Sequence, residues 1–495
     1  MVTGVWPVAE VRAAEARLMA TVPEGVLMRR AASGLATVCA ELLPRVYGAR
    51  VGLLVGAGNN GGDALYAGAA LAGRGARVDA VLLSPERAHR DGVAALRAAG
   101  GRTLTTGGAR VVLGTDLVVD GVVGIGGRGG LRPAAAEMAE AAWDSGALRV
   151  AADIPSGVDA DTGEVAGPVF TADVTVTFGC LKPGLLVGAG RRHAGRVRLV
   201  DIGLRAHLPP PRLHVLRPAD VAVLLPVPGA EDDKYSRGAT GVLAGSAAYG
   251  GAAVLTVGGA VRGGAGIVRY VGPAAGEVRA RWPESVVSQG RPAEAGRVQA
   301  WAVGPGMGTG EAELDLLAEV LATDLPVLVD ADGITLLSRR PDLVRGRAAP
   351  TLLTPHDREF ARLCGPLGAD RIGAVRQAAA DLGVAVLLKG DATIVARPDG
   401  TAYLNPTGSP WLATAGSGDV LTGLGGALLA GHAGRPVVDA ALSGACAAYL
   451  HGVAGGRAGP GASATTVLDA LPGALGELLD EAGAPGRPVT SAQSF

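Results

Sequence analysis

The chain has 495 residues, enough for two or more domains that each bury a full core. Its net charge is −1 at pH 7, which argues against a nucleic-acid partner or an anionic membrane surface. Glycine is frequent, at 79 residues, and aromatic residues make up only 3% of the chain. This composition favours α/β packing of small residues over a β-sandwich.

The four cysteines form no C-x-x-C pair, so we expect reduced thiols in a cytoplasmic protein. Residues 1–15 lack a basic segment followed by an apolar core, so no secretory signal is predicted. Residues 238–261 carry no charge and are long enough to cross a bilayer. Their glycines and hydroxyl side chains instead predict a buried strand, a glycine loop and a helix of small residues.

The N-terminal part begins with two predicted helices, at 7–19 and 24–43, and a strand at 50–55. The sequence Gly56-Ala57-Gly58-Asn59-Asn60-Gly61 follows the strand and matches the G-x-G-x-x-G dinucleotide fingerprint. The acidic residue expected at the end of the next strand is missing, because Asp79 lies within that strand. A conventional dehydrogenase is therefore only the third interpretation.

Further strands are predicted at 78–83, 117–119, 149–152 and 175–178, with helices between the first several, as in a doubly wound parallel sheet. Polar or glycine-rich clusters follow three of the strands. They are Asp120 with its glycine loop, Asp153-Ile154-Pro155-Ser156-Gly157, and Gly179-Cys180-Leu181-Lys182-Pro183-Gly184. Each cluster has the composition of an ordinary turn, but acidic residues at several strand ends favour a site for a cation or a polar ligand.

Through Asn59 to Asp63, Asp120 with its glycine loop, and Asp153 to Asp159, residues 1–205 resemble the NAD(P)H-hydrate epimerase family. The resemblance implies that Asn60, Asp120 and Ser156 help to hold a potassium ion. It also implies a set of residues around the hydrated nicotinamide nucleotide, NADHX or NADPHX. These are Asn59, Asn60, Gly61, Gly62, Asp63, Gly124, Ile125, Gly126, Gly127, Arg128, Gly129, Gly130 and Asp153. Asp153 is the candidate acid or base of the epimerase.

The domain boundaries follow from a change in composition. Residues 1–207 are predicted to form the epimerase domain, and residues 208–218, with three consecutive prolines, a linker. Residues 219–482 are predicted to form the second domain. Residues 483–495 are predicted to be a disordered tail.

In the second domain, strands are predicted at 240–244, 267–271, 300–303, 327–329, 351–354 and 384–388, most of them ending in a polar or glycine cluster. This pattern predicts a second open α/β sheet with a site along one edge. Taken alone, Asp330 could be a helix cap, His356 a structural histidine, and Lys389 part of a hairpin turn.

The turn Gly416-Ser417-Gly418 precedes an apolar helical run that starts near Val420. Such a turn leaves backbone N–H groups unpaired at the positive end of a helix, which predicts an anion hole. Asp419 in the first turn would place a base beside the anion. An ordinary N-cap before a buried helix remains the alternative.

Together with Gly304-Pro305-Gly306, Pro355-His356 and Lys389-Gly390, this turn resembles the ADP-dependent NAD(P)H-hydrate dehydratase branch of the ribokinase-like fold, over residues 219–480. The resemblance implies hydrate contacts at Ala252, Gly306, His356 and Asp419, with Asp419 catalytic. It implies adenine nucleotide contacts at Lys389, Gly390, Asp391, Ala392, Thr393 and Gly418. Mg²⁺ is expected to shield the phosphates. Arg358 stands where the family often has glycine.

The two resemblances predict a bifunctional enzyme that epimerises the R and S hydrates of NAD(P)H and dehydrates the S form, converting ADP to AMP and phosphate. We expect a cytoplasmic homo-oligomer that uses small-molecule substrates and has no nucleic-acid or membrane partner. The alternative is a ribokinase-like small-molecule kinase whose N-terminal half is a non-catalytic ligand-binding or scaffold domain.

Overall fold

A computed structural model describes residues 3–105, 108–433 and 439–481. The chain separates into two compact units, Gly4–Arg212 and the part from Leu213 onward. The predicted disordered tail at 483–495 lies outside the described residues. Within the described ranges, no helix is both long enough and apolar enough to cross a membrane.

The N-terminal unit is built on a seven-stranded sheet in which every pairing is parallel. In spatial order the strands are Arg102–Leu104, Arg77–Leu82, Arg50–Val55, Leu117–Gly121, Leu148–Ala152, Val174–Phe178 and Arg196–Val200. The helices are Val8–Met19, Val26–Leu42, Asn59–Ala72, Arg90–Ala98, Gly108–Val112, Pro133–Asp144 and Gly188–Ala194. This is the doubly wound arrangement that the alternation of patterns predicts.

Both faces of this sheet are buried, as parallel sheets require. Leu53 and Val119 belong to one apolar cluster, with helices Val8–Met19 and Val26–Leu42. Their neighbours Leu54 and Val118 belong to another, with Met138 of helix Pro133–Asp144. Since side chains alternate along a strand, the continuous apolar runs in the sequence supply both faces.

The C-terminal unit contains a larger sheet. In spatial order its strands from Leu213 onward are Leu213–Val215, Ala402–Asn405, Thr393–Ala396, Ala385–Leu388, Thr351–Leu353, Val327–Val329, Ala300–Val303, Ala239–Leu243, Ile267–Val271 and Val286–Ser288. A short strand, Thr3–Val5, opens the described chain. The helices are Pro218–Leu224, Gly250–Arg262, Ala275–Arg281, Glu311–Leu321, Asp332–Arg339, Asp357–Cys364, Arg371–Leu382, Ser417–Gly431, Ala440–Ala458 and Ala464–Glu481.

This second sheet is mixed. The strands from Ala385–Leu388 to Val286–Ser288 pair in parallel, whereas Thr393–Ala396 pairs antiparallel with both of its neighbours. The antiparallel strands place Lys389 to Ala392 in a tight connection between paired strands. Paired strands therefore flank this connection on both sides, and the Lys389 N–H donates to the carbonyl oxygen of Pro355 (2.8 Å).

The predicted linker at 208–218 is partly ordered structure. Leu213–Val215 is a strand that pairs in parallel with Ala402–Asn405, and its two apolar side chains are buried. The prolines at 209–211 precede it, and a helix starts at Pro218, where proline suits the first helical turn. The apolar–polar–apolar alternation of Leu213, His214 and Val215 is typical of a strand, but the proline run before it favoured the prediction of a linker.

Candidate active sites

In the N-terminal unit, Asp120 is the penultimate residue of the strand Leu117–Gly121, which lies beside the strand Arg50–Val55, where the strand order reverses. This is the position at which doubly wound sheets bind ligands. Asp120 is fully buried and accepts hydrogen bonds from Ser156 N (2.8 Å), Ser156 Oγ (2.7 Å) and Val122 N (3.1 Å). Burial raises its pKa to about 6, although these hydrogen bonds act in the opposite direction.

The structure brings Asn60 to the same place. A Cβ added at Gly124, the first glycine of the loop, would lie 3.2 Å from Asn60 Oδ1. The lack of a side chain at Gly124 therefore leaves space for the Asn60 amide. Asn60 Nδ2 is buried and has no hydrogen-bond partner. The Ser156 hydroxyl also lies 3.1 Å from the carbonyl oxygen of Val123. The Ser156 hydroxyl thus contacts both the Asp120 carboxylate and a carbonyl oxygen of the loop that Asn60 borders, while the Asn60 Nδ2 group is left unsatisfied.

Asp153 follows directly after the strand Leu148–Ala152 and adopts a left-handed backbone conformation, with φ of 67°. Its Oδ1 accepts hydrogen bonds from Lys182 Nζ (2.6 Å), Thr177 Oγ1 (3.1 Å) and Phe178 N (3.2 Å). Lys182 is only 1% exposed and also donates to Thr177 Oγ1 and the carbonyl oxygen of Phe178. Sequence reasoning gave Lys182 no role, although it lies in a glycine-rich cluster after a strand.

Two further carboxyl groups interact with this ion pair. Burial, together with the charges of Asp153 and Glu15, raises the pKa of Asp63 to about 8. Burial also raises the pKa of Glu15, and Asp153 adds to the rise, while Lys182 and Arg12 oppose it. Asp63 was predicted to contact substrate, but Glu15 belongs to the first helix and carries no local sequence signal. The result is an acidic cluster that favours holding a proton.

Part of the glycine loop lines a separate cavity of about 270 Å³. The cavity is bordered by Gly126, Gly127 and Arg128 from the predicted set, together with Arg12 and Asp161, which sequence reasoning missed. Asp161 is held in place by a hydrogen bond from Val8 N (2.7 Å). Asn59 to Asp63 and Asp153 are not among the residues that line this cavity.

The dinucleotide fingerprint does not extend to the next strand. Asp79 lies in the middle of Arg77–Leu82 and pairs with Arg102 (2.6 and 2.7 Å) on the neighbouring strand. It is therefore a cross-strand ion pair and does not occupy the strand end where a ribose would bind.

In the C-terminal unit, five neighbouring parallel strands end at one edge of the sheet. The segments that follow them contain Gly245, Gly304, Asp330, His356 and Lys389. Hence most of the predicted dehydratase positions lie along this edge. Ala252 and Gly306 are brought together, since a Cβ at Gly306 (φ 59°) would lie 2.9 Å from the Cβ of Ala252.

The turn before the helix Ser417–Gly431 is the predicted anion hole. Gly416 is the N-cap with φ of 83°, and no side chain caps the helix. The Ser417 N–H donates a long hydrogen bond to the carbonyl oxygen of Thr414 (3.3 Å). The helix fits closely against Gly250–Arg262, because a Cβ at Gly423 would collide with the carbonyl oxygen of Thr256. Ser417 is buried, with its Oγ 3.2 Å from Nε2 of the buried His451. Burial lowers the pKa of His451 to about 4.

Asp419 lies in the first turn of this helix. Burial raises its pKa to about 7; the charges of Asp330 and Asp332 add to the rise, and Lys389 opposes it. A Cβ at Gly418 would be 3.5 Å from Lys389 Nζ and 3.8 Å from Asp330 Oδ2. The structure therefore places a cation, the glycine turn and a base with a near-neutral pKa together.

His356 is the N-cap of the helix Asp357–Cys364. Its Nδ1 accepts hydrogen bonds from the N–H groups of Arg358 (3.1 Å) and Glu359 (3.2 Å), and the His356 N–H donates to Oε2 of Glu359 (2.8 Å). Arg358 thus contributes a backbone N–H to the cap. Nε2 lies on a half-exposed ring, 3.4 Å from Glu359 Oε1, so a ligand that reaches it would share it with this carboxylate. Glu359, 3.9 Å from Lys389 Nζ, was not predicted.

Of the remaining nucleotide positions, Gly390 and Asp391 are exposed on the connection after Lys389, while Ala392 and Thr393 are buried. Thr393 opens a strand and pairs with Asn405. A Cβ at Gly408 would collide with the carbonyl oxygen of Asp391, so this loop lies against the connection.

Comparison with known proteins identifies a family for each half of the chain. Residues 240–472 match the family described as NAD(P)H-hydrate dehydratase, and residues 24–184 match the family of the YjeF-related protein N-terminus. The chain belongs to the family of bifunctional NAD(P)H-hydrate repair enzymes. It is 55% identical over 394 residues to the bifunctional NAD(P)H-hydrate repair enzyme Nnr of Mycobacterium tuberculosis, covering 78% of this chain and 81% of that protein.

Two further relatives were found. The corresponding Mycobacterium leprae enzyme is 52% identical over 398 residues, covering 79% of this chain and 82% of that protein. A crystal structure of an ADP/ATP-dependent NAD(P)H-hydrate dehydratase from Bacillus subtilis is 30% identical, with a TM-score of 0.46. It covers 53% of this chain and 97% of that one.

Proposed function

We propose that this chain repairs hydrated NADH and NADPH. The N-terminal unit interconverts the R and S hydrates, and the C-terminal unit dehydrates the S form while ADP is converted to AMP and phosphate. Family membership supports the pair of activities. The observation on which the residue assignment rests is the meeting of Lys389, the Gly416–Gly418 turn and Asp419.

In the dehydration, the terminal phosphate of ADP would lie over the N–H groups of Gly416, Ser417 and Gly418, where it would replace the long hydrogen bond from Ser417 N to the Thr414 carbonyl oxygen. Asp419 would take the proton from the ring hydroxyl as that oxygen attacks the phosphorus and AMP leaves. The carbon–oxygen bond then breaks, its electron pair leaves with phosphate, and a proton leaves the adjacent ring carbon. The ring double bond is restored. Ala252, Gly306 and His356 would orient the hydrate, and Lys389 to Thr393 the adenine nucleotide.

In the epimerisation, Asp153 would be the acid or base at the ring hydroxyl. The carbon that bears this hydroxyl is also bonded to the ring nitrogen. Departure of the hydroxyl as water therefore leaves a planar cation, which water can re-enter from either face. Asp63, with a pKa of about 8, would hold the proton that assists departure, while Asp153 is paired with Lys182. Asn59 to Gly62 and Gly124 to Gly130 would surround the nucleotide.

Asn60, Asp120 and Ser156 fit a potassium ion. Asp120 is a buried carboxylate whose hydrogen-bond donors are Ser156 and Val122, with no lysine or arginine in contact within the described residues. A buried carboxylate of this kind needs a compensating charge. A monovalent cation there would balance it beside the anionic nucleotide. Within the same described ranges, no cluster of three His, Cys, Asp or Glu residues suits a metal ion.

The dehydratase edge offers no comparable ligand set for Mg²⁺ among its described residues. Asp330 is engaged by Lys389 and Thr422, and Asp332 accepts a hydrogen bond from Gly308 N (3.0 Å). We therefore treat Mg²⁺ as a companion of the nucleotide phosphates and assign it no step. The four cysteines are free thiols, which supports the proposed cytoplasmic location; self-association stays part of the proposal.

The test is recovery of reduced-nicotinamide absorbance from an R and S mixture of NADH hydrate, with ADP, ATP or neither added. Recovery of nearly all the hydrate with ADP supports both activities. Recovery that stops at the S fraction leaves the dehydratase and makes the N-terminal unit a binding module. No recovery with any nucleotide, together with ATP-dependent phosphorylation of another small molecule, favours the kinase alternative.

Asp419→Asn separates the two activities. We expect dehydration to fall by about 100-fold or more, the usual contribution of a positioned base, while epimerisation continues. Full dehydratase turnover in this variant would remove Asp419 from the chemistry.

A further inference from the structure

Asp330 stands at the centre of the dehydratase edge, although sequence reasoning gave it only the role of a helix cap and the resemblance assigns it none. It follows the strand Val327–Val329 and is only 1% exposed. Its Oδ1 is 2.5 Å from Lys389 Nζ, and its Oδ2 accepts a hydrogen bond from Thr422 Oγ1 (2.6 Å). Both oxygens are therefore committed, one to the hairpin lysine and one to the helix that follows the glycine turn.

The position of the ammonium group follows from these two contacts. Thr422 lies one helical turn after Gly418, and its hydroxyl is 3.0 Å from the Gly418 carbonyl oxygen. The space a Cβ would fill at Gly418 lies 3.5 Å from Lys389 Nζ. Asp330 thus links the lysine to the very turn whose N–H groups form the anion hole.

The backbone at Asp330 is also closely constrained. The Asp330 N–H donates to the carbonyl oxygen of Val303 (2.9 Å), and a Cβ at Gly304 would collide with the carbonyl oxygen of Asp330. Ala331, the next residue, has φ of 49°, a conformation that costs a residue with a Cβ about 1 kcal/mol. Such strain persists only where surrounding contacts over-determine the chain, as they do here.

A second carboxylate competes for the same cation. Glu359 Oε2 lies 3.9 Å from Lys389 Nζ, beyond hydrogen-bonding distance. Burial lowers the pKa of Lys389, but Asp330 and Glu359 outweigh this and hold it above the ordinary value. Without Asp330, the ammonium would pair with Glu359 instead, on the helix Asp357–Cys364 and away from the glycine turn.

We propose that Asp330 is a positioning residue for dehydration, which holds the Lys389 ammonium against the Gly416–Gly418 turn so that cation and backbone N–H groups form one site for the terminal phosphate of a nucleoside diphosphate. Thr422 holds the Asp330 carboxylate in place through its hydrogen bond to Oδ2. The inference rests on the proposed dehydratase function. The charged group that it adds to that function is the Lys389 ammonium. The rate of dehydration then depends on where this ammonium is held as well as on its charge.

The experiment measures dehydration of S-NADH hydrate with ADP in the full chain, comparing wild type, Asp330→Asn, Lys389→Met and the double variant. We expect Asp330→Asn to lower kcat by about 100-fold, as for loss of one oriented group in an anion hole, with the KM for hydrate changed less than about threefold. Because Asp330 acts through Lys389, the double variant should be no slower than Lys389→Met alone. Asp342→Asn, at an exposed ion pair with Arg340, is the matched control.

Multiplicative losses in the double variant would overturn the proposal, as would wild-type kcat in Asp330→Asn. If Asp330→Asn does not fold, Thr422→Val and Thr422→Ser decide the question. At matched melting temperatures, Thr422→Val should be at least several-fold slower than Thr422→Ser, which keeps the hydroxyl. Equal rates for those two would also overturn it. Absence of turnover in wild type with ADP would instead count against the dehydratase function itself.

Discussion

Lys182 Nζ lies 2.6 Å from Oδ1 of Asp153, and the lysine side chain is buried in the N-terminal unit. A buried ion pair adds little net stability, but removal of one partner strands the other charge. Substitution of either residue alone therefore leaves an unpaired charge inside the epimerase site.

We expect Lys182→Met to lower the free energy of unfolding of the N-terminal unit by about 3–5 kcal/mol, because Asp153 loses its cation. Adding Asp153→Asn should restore part of this loss. Hydrogen exchange of peptides covering the strand Arg50–Val55 reports the unit within the intact chain. Lys234→Met, at an exposed lysine, is the control. A double variant less stable than Lys182→Met would contradict the account.

Asp63 makes the stability of the same unit depend on pH. Its folded pKa of about 8 is above the ordinary value of 3.8, so the folded state retains a proton that the unfolded state releases. Its contribution therefore lowers stability as pH rises from about 4 to about 8. In Asp63→Asn, stability should fall less steeply over this pH range. The gain in stability relative to wild type should be largest above pH 8. The exposed Asp91→Asn variant should leave the slope as in wild type.

The rate of dehydration should depend on pH through Asp419. Its carboxyl group must be ionised to act as a base, and its pKa is about 7. We expect kcat/KM to rise with pH through a midpoint near 7 and to be about tenfold below its plateau at pH 6. A midpoint near pH 4 would show that Asp419 is not the titrating base.

Potassium should matter to epimerisation. Exchange of potassium for tetramethylammonium, too large for the site, should slow epimerisation by about tenfold or more and weaken exchange protection around Asp120. Asn60→Ala should raise the potassium concentration needed for half-maximal protection. Activity and protection independent of potassium would favour a binding module.

The parts of both sites that can be predicted from the sequence are those whose residues lie close together in the chain. A strand followed by Asp120, or a Gly-Ser-Gly turn before an apolar helix, is visible within about ten residues because periodicity and turn chemistry are local. His356 likewise stands beside the Glu359 that completes its cap, and a glutamate three residues after a capping residue is a readable pattern.

The rest depends on contacts between distant segments. Thr422 and Asp330 are 92 residues apart, and Lys182 is 29 residues from Asp153. Parallel strands bring such residues to one edge, but which of them touch depends on register and packing. The sequence shows the antiparallel pairing that flanks Lys389 only in part, as the hairpin turn considered for that lysine. Leu213–Val215 was hidden by the prolines before it.

The left-handed backbone of Asp153 is a strain that substitution cannot relieve without a larger loss. Glycine would adopt that conformation at lower cost, by about 1 kcal/mol. Asp153→Gly would also leave the buried ammonium of Lys182 without its carboxylate, and breaking a buried pair costs about 3–5 kcal/mol. A screen for heat resistance alone would therefore retain aspartate at this position, so a conserved Asp153 by itself would not be proof of a catalytic role.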